Sequence, residues 1–286
     1  MVRIVSDSTC DLSPELIERY QIGIIPLHVH LGEAEYLDGV NIKPGDIYRW
    51  SDENGATPKT SAPNAEDVTE LFREYLDRGD DLMVFTISRS MSSCNDVCHL
   101  AVSELDAEDR ITVMDSANLS TGVGHLVIEA AILASEGKGL SEITQQILIY
   151  RPLVRASFVV DTLVYLHRGG RCSGLAALMG SALKLHPRIV VENGAMHSDK
   201  KYRGSLDKVI VNYARDMEEE MNKAKPDRVF ITHSGCDEKV VSQVRDYLIS
   251  LGHFKEILET RAGGVVSSHC GPGTLGVLYI ASESEG

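Results

Sequence analysis

The sequence predicts an α/β fold: a larger N-terminal domain with a mostly parallel sheet between helices, plus a smaller C-terminal α/β domain with a mixed sheet. Three observations carry this. Short apolar runs of strand length alternate with helix-spaced apolar patterns over the first two thirds of the chain, the order that a parallel sheet with helical crossovers requires. Asn193-Gly194 then sits between two extended runs, a hairpin signal that belongs to antiparallel pairing. The 286 residues are long for one compact core and suit two unequal domains, placed at 1–152 and 153–286, with a ligand cleft between them and the C-terminal segment in reach of both.

Arg3 to Ser6 is a β-branched run ending in polar residues and predicts the first strand. Ile22 to Leu31 predicts a second extended run, interrupted by Pro26. Asp46 to Asn54 and Ala65 to Asp77 read as helices, the second with Asn64 as N-cap and Gly79 as stop. Leu82 to Ile87 and Ile111 to Met114 have the length and apolarity of buried strands, and Val97, Leu100, Ala101 and Leu105 put a helix between them. Thr121 to Ser135 and Leu140 to Tyr150 are helices separated by a Glu-Gly-Lys-Gly break. The second unit begins near Arg151-Pro152. Ser157 to Val160, Arg188 to Val191, Ala195 to His197, Arg228 to Thr232, Glu256 to Glu259 and Gly276 to Ala281 predict its strands; Thr162 to His167, Leu206 to Met221 and Val240 to Leu251 predict its helices.

Composition narrows the function. Apolar residues are 43% and charged residues 24%, ordinary for a globular protein. A formal charge of −14 repels phosphate backbones and anionic bilayers, so neither nucleic acid nor a membrane surface is an expected partner. The opening MVRIVSDST has no apolar h-region, and no run reaches the roughly 18 apolar residues of a membrane span, so a cytoplasmic protein is expected. The cysteines at 10, 94, 98, 172, 236 and 270 form no C-x-x-C pair; reduced thiols and no metal site are expected.

In parallel sheets ligands bind outside the carboxyl ends of the strands. The residues found there are Asp7-Ser8-Thr9, Ser88 to Ser93, and Asp115-Ser116, an edge rich in hydroxyls. Three loops stand out. Pro58 to Pro63 (PKTSAP) presents Thr60 and Ser61 between stiffening prolines, or is only a turn into the next helix. Ser88 to Asn95 (SRSMSSCN) leaves a strand and enters a helix, so its N–H groups and the Ser90, Ser92 and Ser93 hydroxyls either hold an anion or cap the helix. Ser267 to Gly276 (SSHCGPGTLG) places Ser268, His269 and Gly271 at a Gly-Pro-Gly turn that lets backbone approach a ligand. Two basic clusters, Arg168 to Arg171 (RGGR) and Lys200, Lys201 and Arg203, suit a phosphate or an acidic partner, or are solvated charge. No Walker loop, no G-x-G-x-x-G after a strand and no G-x-S-x-G elbow occurs; Gly122 to Gly124 falls inside a helical pattern.

Taken in order, SDSTCDL (6–12), PKTSAP (58–63), MDSANLSTGVG (114–124), VDTLVYLHRGGRCSG (160–174), HSG (233–235) and SSHCGPGTLG (267–276) resemble the DegV family across nearly the whole chain. The resemblance implies a fatty acid such as palmitate, stearate or oleate buried between two α/β domains, with no further cofactor. It also implies a carrier that presents the fatty acid to a separate fatty acid kinase and holds the acyl-phosphate for phospholipid synthesis. Residue by residue it places the carboxylate on Thr60, Ser92 and His269, with Ser61, Ser93, Ser268 and Gly271 as secondary candidates; Arg171 and Arg203 are expected to face the phosphate or the partner. The family pattern ISSxLSGTY aligns on Ile87 to Asn95, where Ser93, Cys94 and Asn95 replace its Gly, Thr and Tyr, and Ala62 stands where Gln is usual. Two other readings remain. Ser92 and His269 suit a serine-dependent hydrolase or acyltransferase if a third group orients the histidine. A phosphocarrier would instead use His269 or His233.

Overall fold

The computed structural model of the chain describes residues 1–170 and 185–282. In chain order the first part runs β1 (Val2–Asp7), α1 (Pro14–Tyr20), β2 (Gly23–Ile25), β3 (His28–Leu31), β4 (Ala34–Leu37), α2 (Pro44–Asn54), β5 (Lys59–Ser61), α3 (Ala65–Asp77), β6 (Asp81–Thr86), α4 (Cys94–Glu104), β7 (Ile111–Asp115), α5 (Thr121–Ser135) and α6 (Leu140–Tyr150). The second part runs β8 (Val154–Val159), α7 (Val164–Arg168), β9 (Leu185–Glu192), β10 (Ala195–Arg203), α8 (Leu206–Asp216), α9 (Glu218–Met221), β11 (Ala224–His233), α10 (Glu238–Leu251), β12 (Glu256–Arg261), α11 (Gly264–Cys270) and β13 (Leu275–Ala281).

The α/β class is the one the alternation predicts. Strands β2-β1-β6-β7 form a parallel sheet. Consecutive residues of β6, Leu82 to Phe85, are all buried, so both faces of this sheet are covered, as parallel sheets require. Helices α3 and α4 pack together on β6 and β7, and α5 and α6 pack together on β1 and β6. The second sheet, β10-β9-β8-β13-β11-β12, is mixed: all its pairs are antiparallel except β11 with β12. Its hairpin turns at Asn193-Gly194, where both residues take positive φ, as a tight two-residue turn demands.

The sequence reading has no element at α1, β4 or β5, the last of which forms inside the Pro58 to Pro63 loop, and three further elements differ from it. Pro26 does more than interrupt one strand: the two halves of the run join different sheets. β2 extends the parallel sheet, and β3 pairs with β4 and β5 in a small antiparallel sheet. The helix expected over Leu206 to Met221 breaks at Met217 into α8 and α9. The loop expected at Ser267 to Gly276 starts as the last turns of α11. No capping residue precedes α11 locally. Its first N–H groups are met by Asp11 and Asp38, 252 and 226 residues away, so no local signal marks where it begins.

Helix α5 joins the two sheets. It touches β1 and β6 on one side and β8 and β13 on the other, and every residue from Thr121 to Ala131 is buried. Gly122 and Gly124, which the sequence leaves unexplained inside a helix, are packing residues. A Cβ on Gly124 would lie 2.9 Å from the Cys10 carbonyl oxygen, and one on Gly122 would lie 2.1 Å from Asn118 Oδ1. The outer face of the mixed sheet buries a separate core against α8 and α10, built from Val209, Ile210, Val240, Val241 and Val244.

Two polar side chains of α5 sit in this layer with partners. Glu129 receives Arg228 and Lys225 from β11. His125 Nε2 donates to the Leu278 carbonyl at 3.0 Å, and its ring meets Phe230 edge-on. Burial pulls the His125 pKa down to about 3. The folded value lies below the ordinary one, so the stability present above about pH 6.5 is lost as pH falls toward 3. His125→Gln is expected to lower stability at neutral pH yet to soften its acid dependence in this window. Urea midpoints measured across the window check this; an unchanged slope contradicts it.

Candidate functional site

The carboxyl ends of the parallel strands meet α11 around one cavity of about 250 Å³. Leu27 lies just after β2, Ile87 to Ser93 follow β6, and Leu119 follows β7; Ile87, Met91, Ser92 and Ser93 of the β6 loop reach the wall. Thr60, Ser61 and Ala62 enter from β5, Leu166 from α7, Met196 from β10, and Val265, Val266, His269 and Cys270 from α11. The polar groups are hydroxyls, one imidazole and one thiol. Among the described residues no lysine or arginine lines the cavity.

Each polar side chain is placed by its element. β5 pairs antiparallel with β3, setting Thr60 opposite Val29 and Ser61 opposite His28. Thr60 Oγ1 is 2.8 Å from His269 Nε2, which joins two segments 209 residues apart. Ser61 Oγ is 2.9 Å from His30 Nε2. The Ser92 loop is closed by N–H groups of Met91 and Ser92 that both donate to the Ser88 carbonyl, and Ser92 Oγ accepts from the Cys94 N–H at 3.2 Å. Ser93, the residue before α4, lies at φ −81° and ψ 8°, a conformation open to any L residue, so a serine replaces the family's glycine there without backbone strain. Cys94 is buried, and Asn95 donates to Thr86 Oγ1 at 3.0 Å inside the core. These two residues therefore sit at the base of the loop and leave Ser92 and Ser93 as its polar cavity face.

The structure thus brings Thr60, Ser61, Ser92, Ser93 and His269 to one cavity. Ser268 and Gly271 lie behind it. Ser268 is buried and donates to the Gly264 carbonyl at 2.7 Å, and Gly271, at φ 74°, ends α11 with its Cα against the Tyr165 ring. At about 100° per residue Val265, Val266, His269 and Cys270 share one side of α11, the cavity side, and Ser268 falls on the other. Arg203 is exposed at the end of β10, seven residues beyond Met196 or roughly 23 Å along an extended strand, and does not line the cavity. Arg171 lies outside the described residues. His233 is buried, accepts the Cys236 N–H on Nδ1, and has its pKa pushed down to about 4 by burial. Among the described residues no cluster of three His, Cys, Asp or Glu side chains could hold a metal ion.

Two features escape sequence reasoning. Among the described residues the apolar walls come from nine residues spread over seven stretches of the chain, with no single motif. Gly169, inside the RGGR segment, leaves room for the His269 ring: a Cβ there would lie 2.3 Å from Nδ1. The motif was visible, but the need for glycine is set by a residue 100 positions on. The Asn193-Gly194 turn also docks here, since Ser88 Oγ donates to the Gly194 carbonyl at 2.7 Å and Ser90 Oγ donates to the same oxygen. That contact holds Met196 over the cavity. Gly169→Ala is expected to displace the imidazole from Thr60 and to cost about 1–3 kcal/mol, as overpacking does. The His269 ring resonances in heteronuclear NMR report the displacement; an unshifted ring contradicts it.

Comparison with known proteins follows the same outline. The family model described as an uncharacterised protein of the DegV family matches residues 1–282. A DegV domain-containing protein of Clostridium perfringens is 31% identical over 279 residues, spanning 98% of each chain. Among solved structures, the fatty-acid-binding DegV family protein from Thermus thermophilus superposes with a TM-score of 0.90 at 32% identity, covering 98% of this chain and 99% of its own. A fatty acid (stearic acid)-binding protein from Eubacterium ventriosum superposes with a TM-score of 0.85 at 26% identity, covering 98% of each chain. With the family model spanning both sheets and the loops between them, this chain belongs to the DegV family.

Proposed function

We propose that this protein is a cytoplasmic carrier that binds a long-chain fatty acid such as palmitate, stearate or oleate between its two domains, 1–152 and 153–286. It presents the carboxylate to a separate fatty acid kinase and carries the acyl-phosphate for phospholipid synthesis. One observation carries the binding step: a single cavity combines clustered hydroxyls and an imidazole with walls of Leu, Ile, Val and Met. Its relatives of known structure include proteins described as fatty-acid-binding and stearic-acid-binding.

The chemistry is consistent. A carboxylate accepts at both oxygens, and Thr60, Ser92 and an N–H of His269 are suitable donors. None of the described residues sets a fixed cation against it, so none of them neutralises the headgroup, which suits a carboxylate that must attack an incoming phosphoryl group. The tail supplies affinity: about fourteen methylenes at ~0.8 kcal/mol each give roughly 11 kcal/mol. Association costs of ~4–15 kcal/mol offset much of it, which leaves binding tight but reversible, as a carrier needs. A hydrolase reading would need His269 Nε2 on Ser92; here that nitrogen faces Thr60, and Ser92 Oγ faces the Cys94 N–H.

Mass spectrometry of an organic extract of the purified protein is expected to show a co-purified long-chain fatty acid, and lipid-free protein is expected to take up palmitate. Absence of both rejects the proposal. Thr60→Val removes a hydrogen bond to a charged group, worth about 1.5–3 kcal/mol, and is expected to weaken palmitate binding about 10- to 100-fold. For the kinase step, Arg203→Glu and Arg171→Glu are expected to leave lipid binding intact and to abolish kinase-dependent phosphorylation of the bound lipid. Loss of lipid binding itself would show that these arginines serve the fold or the tail site.

A further inference from the structure

Three buried aspartates stand behind the cavity without lining it. Asp7 serves the loop after β6: its Oδ2 accepts the Ile87 N–H at 2.8 Å, fixing the start of the Ser92 loop, and its Oδ1 accepts from Thr9. The other two meet α11. Asp11 Oδ1 accepts the Gly263 N–H at 2.8 Å and its Oδ2 accepts Ser120 Oγ at 2.6 Å. Asp38 Oδ1 accepts the Gly264 N–H at 2.6 Å and its Oδ2 accepts Ser8 Oγ at 2.9 Å. Every oxygen of this pair has a donor, which is what a buried carboxylate demands.

The pair is aimed at one thing. Helix α11 is only seven residues long, and a helix of that length does not hold its own direction in isolation. Its first N–H groups lack intrahelical partners by construction. Here the partners are two carboxylates supplied by the segments after β1 and β4, at the positive end of the helix. The backbone is pressed onto them: a Cβ on Gly264 would lie 2.9 Å from Asp38 Oδ1, and one on Gly263 would lie 3.2 Å from both Asp11 Oδ1 and Asp38 Oδ2. The far end of the same short helix carries His269, whose Nε2 meets Thr60 at 2.8 Å. Thr60 is itself tied to β3, whose hairpin partner β4 ends just before Asp38. Both members of the Thr60–His269 contact are therefore referenced to the same carboxylate.

We propose that Asp11 and Asp38 are positioning residues for the headgroup site: by fixing the start of α11 they place His269 against Thr60, and so set how strongly the cavity prefers a lipid carboxylate over an uncharged lipid headgroup of the same chain length. The inference rests on the fatty-acid reading, and its test separates the two. Palmitate and hexadecanol share a tail and differ in the headgroup. Their dissociation constants are measured by calorimetry or fluorescence displacement for the wild type, Asp38→Ala, Asp11→Ala and Asp38→Asn.

The wild type is expected to prefer palmitate. Each alanine variant is expected to lose about tenfold or more of that preference, the worth of a hydrogen bond to a charged group, with hexadecanol affinity unchanged within about twofold. Asp38→Asn keeps an oxygen for the Gly264 N–H and is expected to retain most of the preference. Equal weakening of both lipids would assign the aspartates to general stability alone and overturn the proposal, as would no change for either. If the alanine variants do not melt cooperatively, Asp38→Glu, which keeps the charge and moves it by one methylene, is read by the same criteria. A wild type that binds neither lipid, or binds both equally, overturns the fatty-acid function itself and this inference with it.

Discussion

Helix α5 is buried on every side from Thr121 to Ala131, and the rest of the architecture follows from that. A helix apolar all round is stable in water only when covered on every side. Two sheets supply the cover: β1 and β6 on one side, β8 and β13 on the other. Gly124 allows the chain after β1 to lie directly on it, with the Cys10 carbonyl where a side chain would otherwise be, and Gly122 makes room for the Asn118 side chain. Once the sheets are stacked through a shared helix, the loops at the carboxyl ends of β2, β6 and β7 face α7, β10 and α11 of the second part. The cavity is the space those loops enclose. It is bounded by elements of both halves, so it exists only when the α5 layer is formed.

Within that frame the site is built by borrowing. α11 takes its caps from Asp11 and Asp38, the Ser92 loop takes its first anchor from Asp7, and the His269 ring takes its space from Gly169. None of these donors of position touches the cavity. The residues that do touch it divide by chemistry: short hydroxyl side chains and an imidazole offer hydrogen bonds, and branched aliphatic side chains offer dispersion and dryness. An amphiphile with one anionic end and a long apolar tail satisfies both sets at once. A small polar substrate would leave the aliphatic walls unused.

Local signals made much of this readable from the chain. The strand-helix alternation, the Asn193-Gly194 turn and the bounds of α5 and α6 are properties of short windows, and the structure places them where the windows do. Thr60, Ser61, Ser92, Ser93 and His269 lie in the hydroxyl-bearing loops and beside the Gly-Pro-Gly turn that carry the resemblance to the DegV family, and they line one cavity. What stayed hidden depends on distant partners. α11 has no local cap, so its last turn, Ser267 to Cys270, looked like part of a loop. Pro26 was read as a flaw in one strand, because nothing nearby shows that the second half pairs with β4 and β5. Arg203, expected to face the phosphate or the partner, stands exposed at the end of β10 and off the cavity wall; Lys200 in that cluster is paired with Asp216. The tail walls follow no motif, since any aliphatic side chain of the right size serves.

The most direct measurement is a crystal structure of the lipid-free protein soaked with palmitate. The account predicts continuous density in the cavity between the two sheets. The carboxylate should lie within hydrogen-bond distance of Thr60 Oγ1, Ser92 Oγ and the His269 ring, and the chain should run along Ile87, Leu119 and Val266. A carboxylate held elsewhere, with Thr60 and His269 still bonded only to each other, would contradict it.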